Sequence, residues 1–361
     1  MNTKTSEVQR KNTRMQQRDK AIIPGPKYFI ILVTTIILLF SFSVAFCAVF
    51  IKQLIDVNVD VDVNDVDPPT NSVEGPVNPT IPKKPYISKS ASDIQLVGDQ
   101  VNSDNVILVD IDRNESIVEK YADDMIYPAS MTKVMSVLVV CERAKNLNKK
   151  LTIKQKTINY AYSMEGSLYG IPAGAELTIK DLLYLTSYFS DTAAVLTLAE
   201  YIGGGSEAGF VKLMNEKAKA IGLKNTHFDN CTGLYSEENY STCREMAAIM
   251  AYALENSLCK KILTDTQPYK FTANGRNYTI WSPSWYSQRV ANKPALETVT
   301  VKGGKTGYID ESGYCLVSYA EGKSGRRYIQ VVIGDKITVV KKEEKIWYGN
   351  DVKFIYNNYA T

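Results

Sequence analysis

The most apolar part of the chain is residues 28–50, a run of 23 residues without a charge. A helix of this length spans a bilayer. Residues 1–27 carry seven Lys or Arg against Glu7 and Asp19, and this positive bias places the N-terminus in the cytoplasm. The sequence therefore predicts a cytoplasmic basic tail (1–27) and a single-pass transmembrane signal anchor (28–50). A cleaved signal peptide is disfavoured, because its apolar core would be about 7–15 residues long.

Residues 51–95 are rich in proline and aspartate, and six of the thirteen prolines lie between Pro68 and Pro85. This composition is typical of a solvated linker. We therefore expect one folded domain, residues 96–361, outside the cytoplasmic membrane.

The hydrophobic pattern of that domain changes along the chain. Alternating apolar residues flank a turn at 112–115, which predicts a β-hairpin. Residues 130–144 are apolar on nearly every face, as in a buried central helix. Helix-like segments fill 176–258, three strand-like segments occupy 297–335, and a charged helix is expected around 341–356. This order predicts a mixed α/β fold in which helices pack on an antiparallel sheet.

Composition and charge exclude several classes of function. A net charge of +3 gives no reason to propose nucleic-acid binding. One histidine and no Cys-x-x-Cys pair are too few ligands for a zinc site, so no metal is expected.

Cys47 lies in the predicted span, which leaves an odd set of cysteines in the domain. A Cys231–Cys243 bridge is compatible with the sequence but is not determined by it.

Ser130 and Lys133 are the first candidates for chemistry. Residues three apart in a helix share a face, so the Lys133 amine can reach the Ser130 hydroxyl. A lysine of lowered pKa can serve as the base that activates a serine, and a helix start favours a developing oxyanion. The motif alone is weak, because Ser257-Leu-Cys-Lys260 is a second match. That match falls at an expected helix end and is assigned to a solvated terminus.

Two further motifs strengthen the assignment. Lys305-Thr306-Gly307 lies on a predicted strand, where glycine permits close approach to the backbone. Ser190-Asp191-Thr192 lies between it and Ser130. The literal Ser103-Asp104-Asn105 precedes Ser130 and is interpreted as a turn, as is Lys323-Ser324-Gly325. S-x-x-K, S-D-N and K-T-G together are the motifs of penicillin-binding proteins and class A β-lactamases.

The chain resembles the serine-type D-alanyl-D-alanine carboxypeptidases, the low-molecular-mass penicillin-binding proteins. Similar stretches are YPASMTKVM, TIKDLLYLTSYFSDTAAVLTLAEYI, KNTHFDNCTGL, YSTCREMA and GGKTGYIDESGYCLVSYAEG. The resemblance implies the penicillin-binding protein and serine β-lactamase-like transpeptidase fold. That fold has an antiparallel sheet flanked by helices, an all-helical lobe and an active site between them. It implies no cofactor.

The resemblance also assigns roles to single residues. Ser130 resembles the nucleophile, Lys133 its base and Ser190 a proton relay. Lys305 and Thr306 match the positions that bind the substrate carboxylate. The backbone amides of Ser130 and Tyr308, next to Gly307, match the oxyanion hole. Thr192 stands where the family usually has Asn, and Lys342 precedes Glu343 where many members have Arg.

The expected function is a membrane-anchored carboxypeptidase that removes the terminal D-Ala from peptidoglycan stem peptides, with β-lactam antibiotics as inhibitors. A β-lactamase of the same fold is an alternative, but no E-x-x-L-N follows the middle motif and Glu165 precedes it. A non-catalytic penicillin-binding sensor or wall-binding module is the other alternative, supported by Thr192. A Ser-His-Asp hydrolase is disfavoured, because His227 is expected to be structural.

Overall fold

The hairpin predicted around residue 112 forms part of a six-stranded sheet. The computed structural model describes residues 86–282, 296–335, 338–340, 343–345 and 348–361. In spatial order the sheet contains β1 (Lys89–Leu96), β3 (Glu115–Lys120), β2 (Asn105–Asp110), β10 (Arg327–Asp335), β9 (Gly313–Gly322) and β8 (Val299–Ile309). All neighbours are antiparallel except β1 and β3, which are parallel. The sheet is therefore mixed, and the predicted antiparallel arrangement holds for five strands.

The helices follow the predicted order. A 3-10 turn, Ala129–Thr132, leads directly into α1 (Lys133–Arg143). The later helices are α2 (Gln155–Ser163), α3 (Ile179–Tyr184), α4 (Thr192–Ile202), α5 (Glu207–Ala220), α6 (Cys243–Ala253), α7 (Ser257–Thr264) and α8 (Tyr348–Tyr359). A π-helical turn, Leu185–Phe189, continues α3. Three two-stranded pairs lie outside the large sheet: β4 (Lys150–Thr152) with β5 (Glu176–Thr178), β6 (Tyr269–Ala273) with β7 (Arg276–Ile280), and β11 (Thr338–Val340) with β12 (Glu343–Lys345).

Both faces of the large sheet are covered. On β10, Ile329 and Val331 belong to the large core that contains α1, α4 and α6, whereas Val332 joins a second core with Ile355 of α8. Successive strand residues point to opposite faces, so a sheet buried on both sides has apolar residues at consecutive positions. This explains the consecutive apolar residues Val331, Val332 and Ile333 in β10. Helix α1 is buried from Lys133 to Val140, as expected for a central helix.

The lobe beside the sheet is mostly helical. Helices α2, α3 and α5 pack on α4. The lobe also carries the β4–β5 pair, which contacts α3 and α4. The expected all-helical lobe is therefore corrected to a mostly helical lobe that also carries a small two-stranded antiparallel sheet.

Other sequence predictions also need correction. Strand β1 begins inside the stretch 51–95 assigned to the linker, so residues 89–95 belong to the sheet. The last helix begins at Tyr348 rather than near 341, since β11 and β12 pair before it. Cys231 and Cys243 are both free and buried, so the bridge between them is not formed.

The predicted tail and span, residues 1–50, lie outside the described residues. Across the ranges that are described, no helix combines the length and apolar character needed to cross a bilayer.

Candidate active site

Ser130 lies in the 3-10 turn that precedes α1, and two glycines enclose this turn. A β-carbon on Gly233 would overlap the Ala129 carbonyl oxygen, and one on Gly307 would lie 2.8 Å from the Ser130 nitrogen. Ala129 itself has φ = +46°, in the left-handed region. The backbone of Ser130 is thus held directly against β8 and against the segment 230–234, and any side chain at either glycine would displace it.

Lys133 is the neighbour of the Ser130 hydroxyl. Its Nζ lies 3.0 Å from Ser130 Oγ and donates a second hydrogen bond to the Thr232 carbonyl at 2.6 Å. The side chain is 1% exposed. Burial lowers the pKa of Lys133 to about 8, although Cys231 and Asp191 act in the opposite direction. A substantial fraction of this amine is therefore neutral near physiological pH and able to accept a proton.

The Thr232 carbonyl is aimed at Lys133 by the side chain of Asn230. Asn230 Oδ1 accepts hydrogen bonds from the backbone N–H of Thr232 (3.1 Å) and of Gly233 (2.7 Å), and Nδ2 donates to the Leu234 carbonyl at 3.0 Å. The motifs in the sequence did not point to Asn230. The signal available was local turn chemistry, an asparagine followed by glycine at the third position.

Ser190 ends the π-helical turn with φ = +63°. A serine rarely adopts this conformation, and such backbone strain is concentrated at functional sites. Its Oγ is buried and has no hydrogen-bond partner among the described residues. The hydroxyl is therefore available to a group that enters the site.

Thr192 begins α4 and packs against the loop 165–169. Its backbone N–H donates to the Ser167 carbonyl at 2.8 Å. A β-carbon on Gly166 would lie 2.7 Å from Thr192 Oγ1, so the β-branched side chain occupies the space left by that glycine. Thr192 is 1% exposed.

Lys305 is buried on β8 and donates to the Thr306 carbonyl at 2.8 Å. Burial lowers the pKa of Lys305 to about 7, and the charge of Lys133 lowers it further in the same direction. Two lysine amines thus share one enclosed site, and each proton that one of them binds disfavours protonation of the other. Gly307 is buried beside Ser130, whereas the Tyr308 side chain is half-exposed and donates to Asp310 Oδ1 at 2.8 Å.

The structure thus places Lys133 and Gly307 in direct contact with Ser130. Lys305 lies close enough to Lys133 for the charge of Lys133 to lower its pKa. Lys342 lies outside the described residues. Within those residues, no cluster of three or more His, Cys, Asp or Glu side chains is arranged to hold a metal ion.

Residues of the look-alike motifs are either exposed or hydrogen-bonded within the fold. Ser257 and Lys260 are both exposed. Ser103 is buried and donates through its N–H and Oγ to Asp351 Oδ2, which ties the segment before β2 to α8. Ser324 donates to the Thr361 carbonyl at 2.9 Å. The His227 ring nitrogen Nδ1 lies 2.6 Å from the Glu238 carbonyl.

Comparison with known proteins agrees with this geometry. A family model described as D-alanyl-D-alanine carboxypeptidase matches residues 89–337. The D-alanyl-D-alanine carboxypeptidase DacF of Bacillus subtilis is 34% identical over 258 residues, which cover 71% of this chain and 63% of DacF. The D-alanyl-D-alanine carboxypeptidase DacA of Escherichia coli K12 is 31% identical over 252 residues, 66% of this chain and 57% of DacA. The chain thus spans less than two thirds of the length of both relatives.

A solved structure supports the same fold. The crystal structure of the Streptomyces K15 DD-transpeptidase superposes with a TM-score of 0.61 at 25% identity, covering 71% of this chain and 97% of that one. The family match includes the Ser130, Ser190 and Lys305 motifs and most of the described residues. The chain therefore belongs to the D-alanyl-D-alanine carboxypeptidase family.

Proposed function

We propose that this protein is a membrane-anchored serine D,D-carboxypeptidase that removes the terminal D-Ala from peptidoglycan stem peptides. The observation that carries the proposal is the 3.0 Å contact between Lys133 Nζ and Ser130 Oγ in a site that lowers the pKa of the lysine to about 8. Family membership and the names of the relatives agree with it.

The first half of the reaction forms an acyl-enzyme. Neutral Lys133 takes the proton of the Ser130 hydroxyl, and Oγ attacks the carbonyl carbon of the D-Ala-D-Ala peptide bond. The backbone N–H groups of Ser130 and Tyr308 stabilise the oxyanion, held in register by Gly307. As the C–N bond breaks, the proton held by Lys133 passes through the Ser190 hydroxyl to the departing D-Ala amine, which leaves Lys133 neutral again.

The second half releases the shortened peptide. A water molecule attacks the Ser130 ester, and Lys133 accepts one of its protons. The C–Oγ bond breaks, the peptide leaves as a carboxylic acid, and Ser130 recovers its hydroxyl proton.

Lys305 and Thr306 bind the C-terminal carboxylate of the substrate. That carboxylate raises the pKa of Lys305, because an opposite charge favours the ammonium form. The interaction between two charges is mutual, so a protonated Lys305 in turn favours neutral Lys133. Substrate binding therefore promotes the protonation state that the reaction needs. Lys342 adds a point charge on the carboxylate side, and Thr192 binds the substrate amide through its hydroxyl.

The proposed function includes a location at the cell membrane and inhibition by β-lactams. Residues 28–50 anchor the chain in the cell membrane, with residues 1–27 in the cytoplasm and the domain outside. A flexible linker after the anchor lets the domain reach the cell wall. β-Lactams acylate Ser130 because they present a strained amide in the pose of the substrate.

The test is release of D-alanine from diacetyl-L-Lys-D-Ala-D-Ala by the full chain in detergent. We expect release by the wild type and by Ser257→Ala, which alters the exposed look-alike motif, and none by Ser130→Ala. Fluorescent penicillin should label the first two proteins only. Labelling that persists in Ser130→Ala would refute the assignment. Stable labelling of Ser130 without release of D-alanine would favour a penicillin-binding sensor, and rapid turnover of penicillin would favour a β-lactamase.

A further inference from the structure

Asp191 stands between the two site residues Ser190 and Thr192, and its carboxylate is buried, with 2% of the residue exposed. Each oxygen has its own backbone donor. Oδ1 accepts the Ala194 N–H at 2.7 Å, which caps the first turn of α4. Oδ2 accepts the Tyr169 N–H at 2.7 Å, which fastens the loop 165–169 to α4. One side chain thus ties together two walls of the site.

Tyr169 extends this attachment to a third segment. Its ring packs edge-on against Phe189, with ring centroids 4.9 Å apart, and its hydroxyl donates to the Thr279 carbonyl of β7 at 2.9 Å. Phe189 directly precedes Ser190. The strained backbone of Ser190 is therefore held on its N-terminal side through Tyr169 and on its C-terminal side through Asp191 itself.

The charge of Asp191 also acts on the site. Three titratable groups interact electrostatically with Lys133: Asp191 at the start of α4, Cys231 in the segment 230–234 and Lys305 on β8. Burial raises the pKa of the Cys231 thiol well above its ordinary value, so this thiol is neutral. Burial also raises the pKa of Asp191, but the hydrogen bonds from Tyr169 and Ala194 and the charge of Lys133 favour its ionised form. Asp191 is thus the carboxyl group that acts on Lys133 from α4.

We propose that Asp191 is a positioning residue of this active site. Its two oxygens fix the Ser190 segment against the loop 165–169, and its negative charge raises the pH at which Lys133 releases its proton. The inference rests on the proposed role of Lys133 as the base.

The two roles of Asp191 have different kinetic consequences. Removing the charge withdraws a stabilising neighbour of the Lys133 ammonium, so Lys133 becomes neutral at lower pH. The acidic limb of the acylation profile then moves down by about one pH unit. A purely structural defect would lower the rate by the same factor at every pH and leave the midpoint in place.

The experiment measures the rate constant of Ser130 acylation by fluorescent penicillin, with the full chain in detergent, across the pH range that brackets the midpoint. Asp191→Asn and Asp191→Ser both remove the charge, and serine is also a good helix N-cap. Asp191→Glu keeps the charge and displaces the oxygens. Folding of each variant is checked by its thermal unfolding transition.

Asp181 provides the matched control. It too is buried near a helix start, where its carboxylate accepts hydrogen bonds from the Thr178 N–H at 2.9 Å and from the Tyr269 hydroxyl at 2.7 Å. It is not among the groups that act on Lys133. Asp181→Asn therefore removes a comparable buried charge without changing the charge at the site.

We expect the midpoint to move to lower pH in Asp191→Asn and Asp191→Ser and to stay in place in Asp181→Asn. Asp191→Glu should keep the midpoint and lose rate at every pH. A folded Asp191→Asn or Asp191→Ser protein with the wild-type midpoint would overturn the inference, as would an equal shift in Asp181→Asn. A wild-type chain that is not acylated at any pH would instead overturn the proposed function, and this inference with it.

Discussion

Gly307 lies directly against the backbone of Ser130: a β-carbon at position 307 would stand 2.8 Å from the Ser130 nitrogen. The same β-carbon would lie 2.6 Å from Cys315 Sγ and 2.9 Å from the Ala129 β-carbon. The glycine of the K-T-G motif therefore does more than admit a ligand. It lets strand β8 and the turn that carries Ser130 meet, as the proposed oxyanion hole of the Ser130 and Tyr308 N–H groups requires.

Gly307→Ala should slow acylation of Ser130 by penicillin about 10²-fold or more, because the added methyl group pushes one oxyanion donor out of place. The measurement is the acylation rate constant, with thermal unfolding as a check on folding. Gly325→Ala in the look-alike Lys323-Ser324-Gly325 turn is the control. A methyl group there meets open space at φ = +85°, so it should destabilise the fold by about 1–2 kcal/mol and leave acylation unchanged. Wild-type acylation in Gly307→Ala would contradict the proposed oxyanion hole.

Lys133→Met should reduce acylation by about 10²- to 10⁴-fold, because methionine fills a similar space but cannot take the Ser130 proton. The variant should also unfold at a higher temperature at neutral pH, since a buried charge is removed. Both are measured on the same preparation. Lys260→Met changes the exposed lysine of the second Ser-x-x-Lys match and should alter neither property. Equal acylation rates in Lys133→Met and Lys260→Met would exclude Lys133 as the base.

The two buried lysines predict how stability depends on pH. The folded protein has pKa values of about 8 for Lys133 and about 7 for Lys305, below the ordinary 10.5. At a pH between these folded-state pKa values and 10.5, the unfolded chain binds more protons than the folded chain. The free energy of unfolding should therefore rise with pH, by up to about 1.4 kcal/mol per pH unit for each lysine.

Urea unfolding at several pH values, with Lys133→Met/Lys305→Met as the reference, isolates this contribution. The difference in unfolding free energy, wild type minus double variant, should increase as the pH rises from about 7 and level off above about 10.5. A difference that stays constant with pH would show that neither lysine has a lowered pKa in the folded state.

Thr192→Val keeps the shape of the side chain and removes its hydroxyl. If that hydroxyl binds the substrate amide, kcat/KM for the D-Ala-D-Ala peptide should fall about 2- to 10-fold while the unfolding temperature stays near that of the wild type. Thr197→Val, on the same helix, removes a buried hydroxyl that donates to the Ala193 carbonyl at 2.7 Å. It should lower stability and leave kcat/KM unchanged. An unaltered kcat/KM in Thr192→Val would remove Thr192 from the substrate-binding residues.

Local patterns in the sequence determined much of the fold. The hairpin β2–β3 and the strands β8, β9 and β10 lie where alternating or continuous apolar residues predicted them. The helix after Ser130 was predicted from its apolar faces, and the approach of Lys133 to Ser130 from their spacing. These features depend on residues that are only a few positions apart, so the local sequence pattern predicts them. The parallel pairing of β1 with β3 depends on a distant partner, and the sequence did not show it. The short strands β11 and β12 are neighbours in the chain, but β12 lies in a stretch that the sequence assigned to a helix.

The sequence by itself therefore determined which residue types the site contains and on which elements they lie. Only the tertiary structure decided how they act together. The bond from Lys133 to the Thr232 carbonyl and the bond from Tyr169 to Asp191 join segments that are far apart in the chain. The lowered pKa values of Lys133 and Lys305 have the same origin, because burial and the distance between two charges are set by packing rather than by residue type.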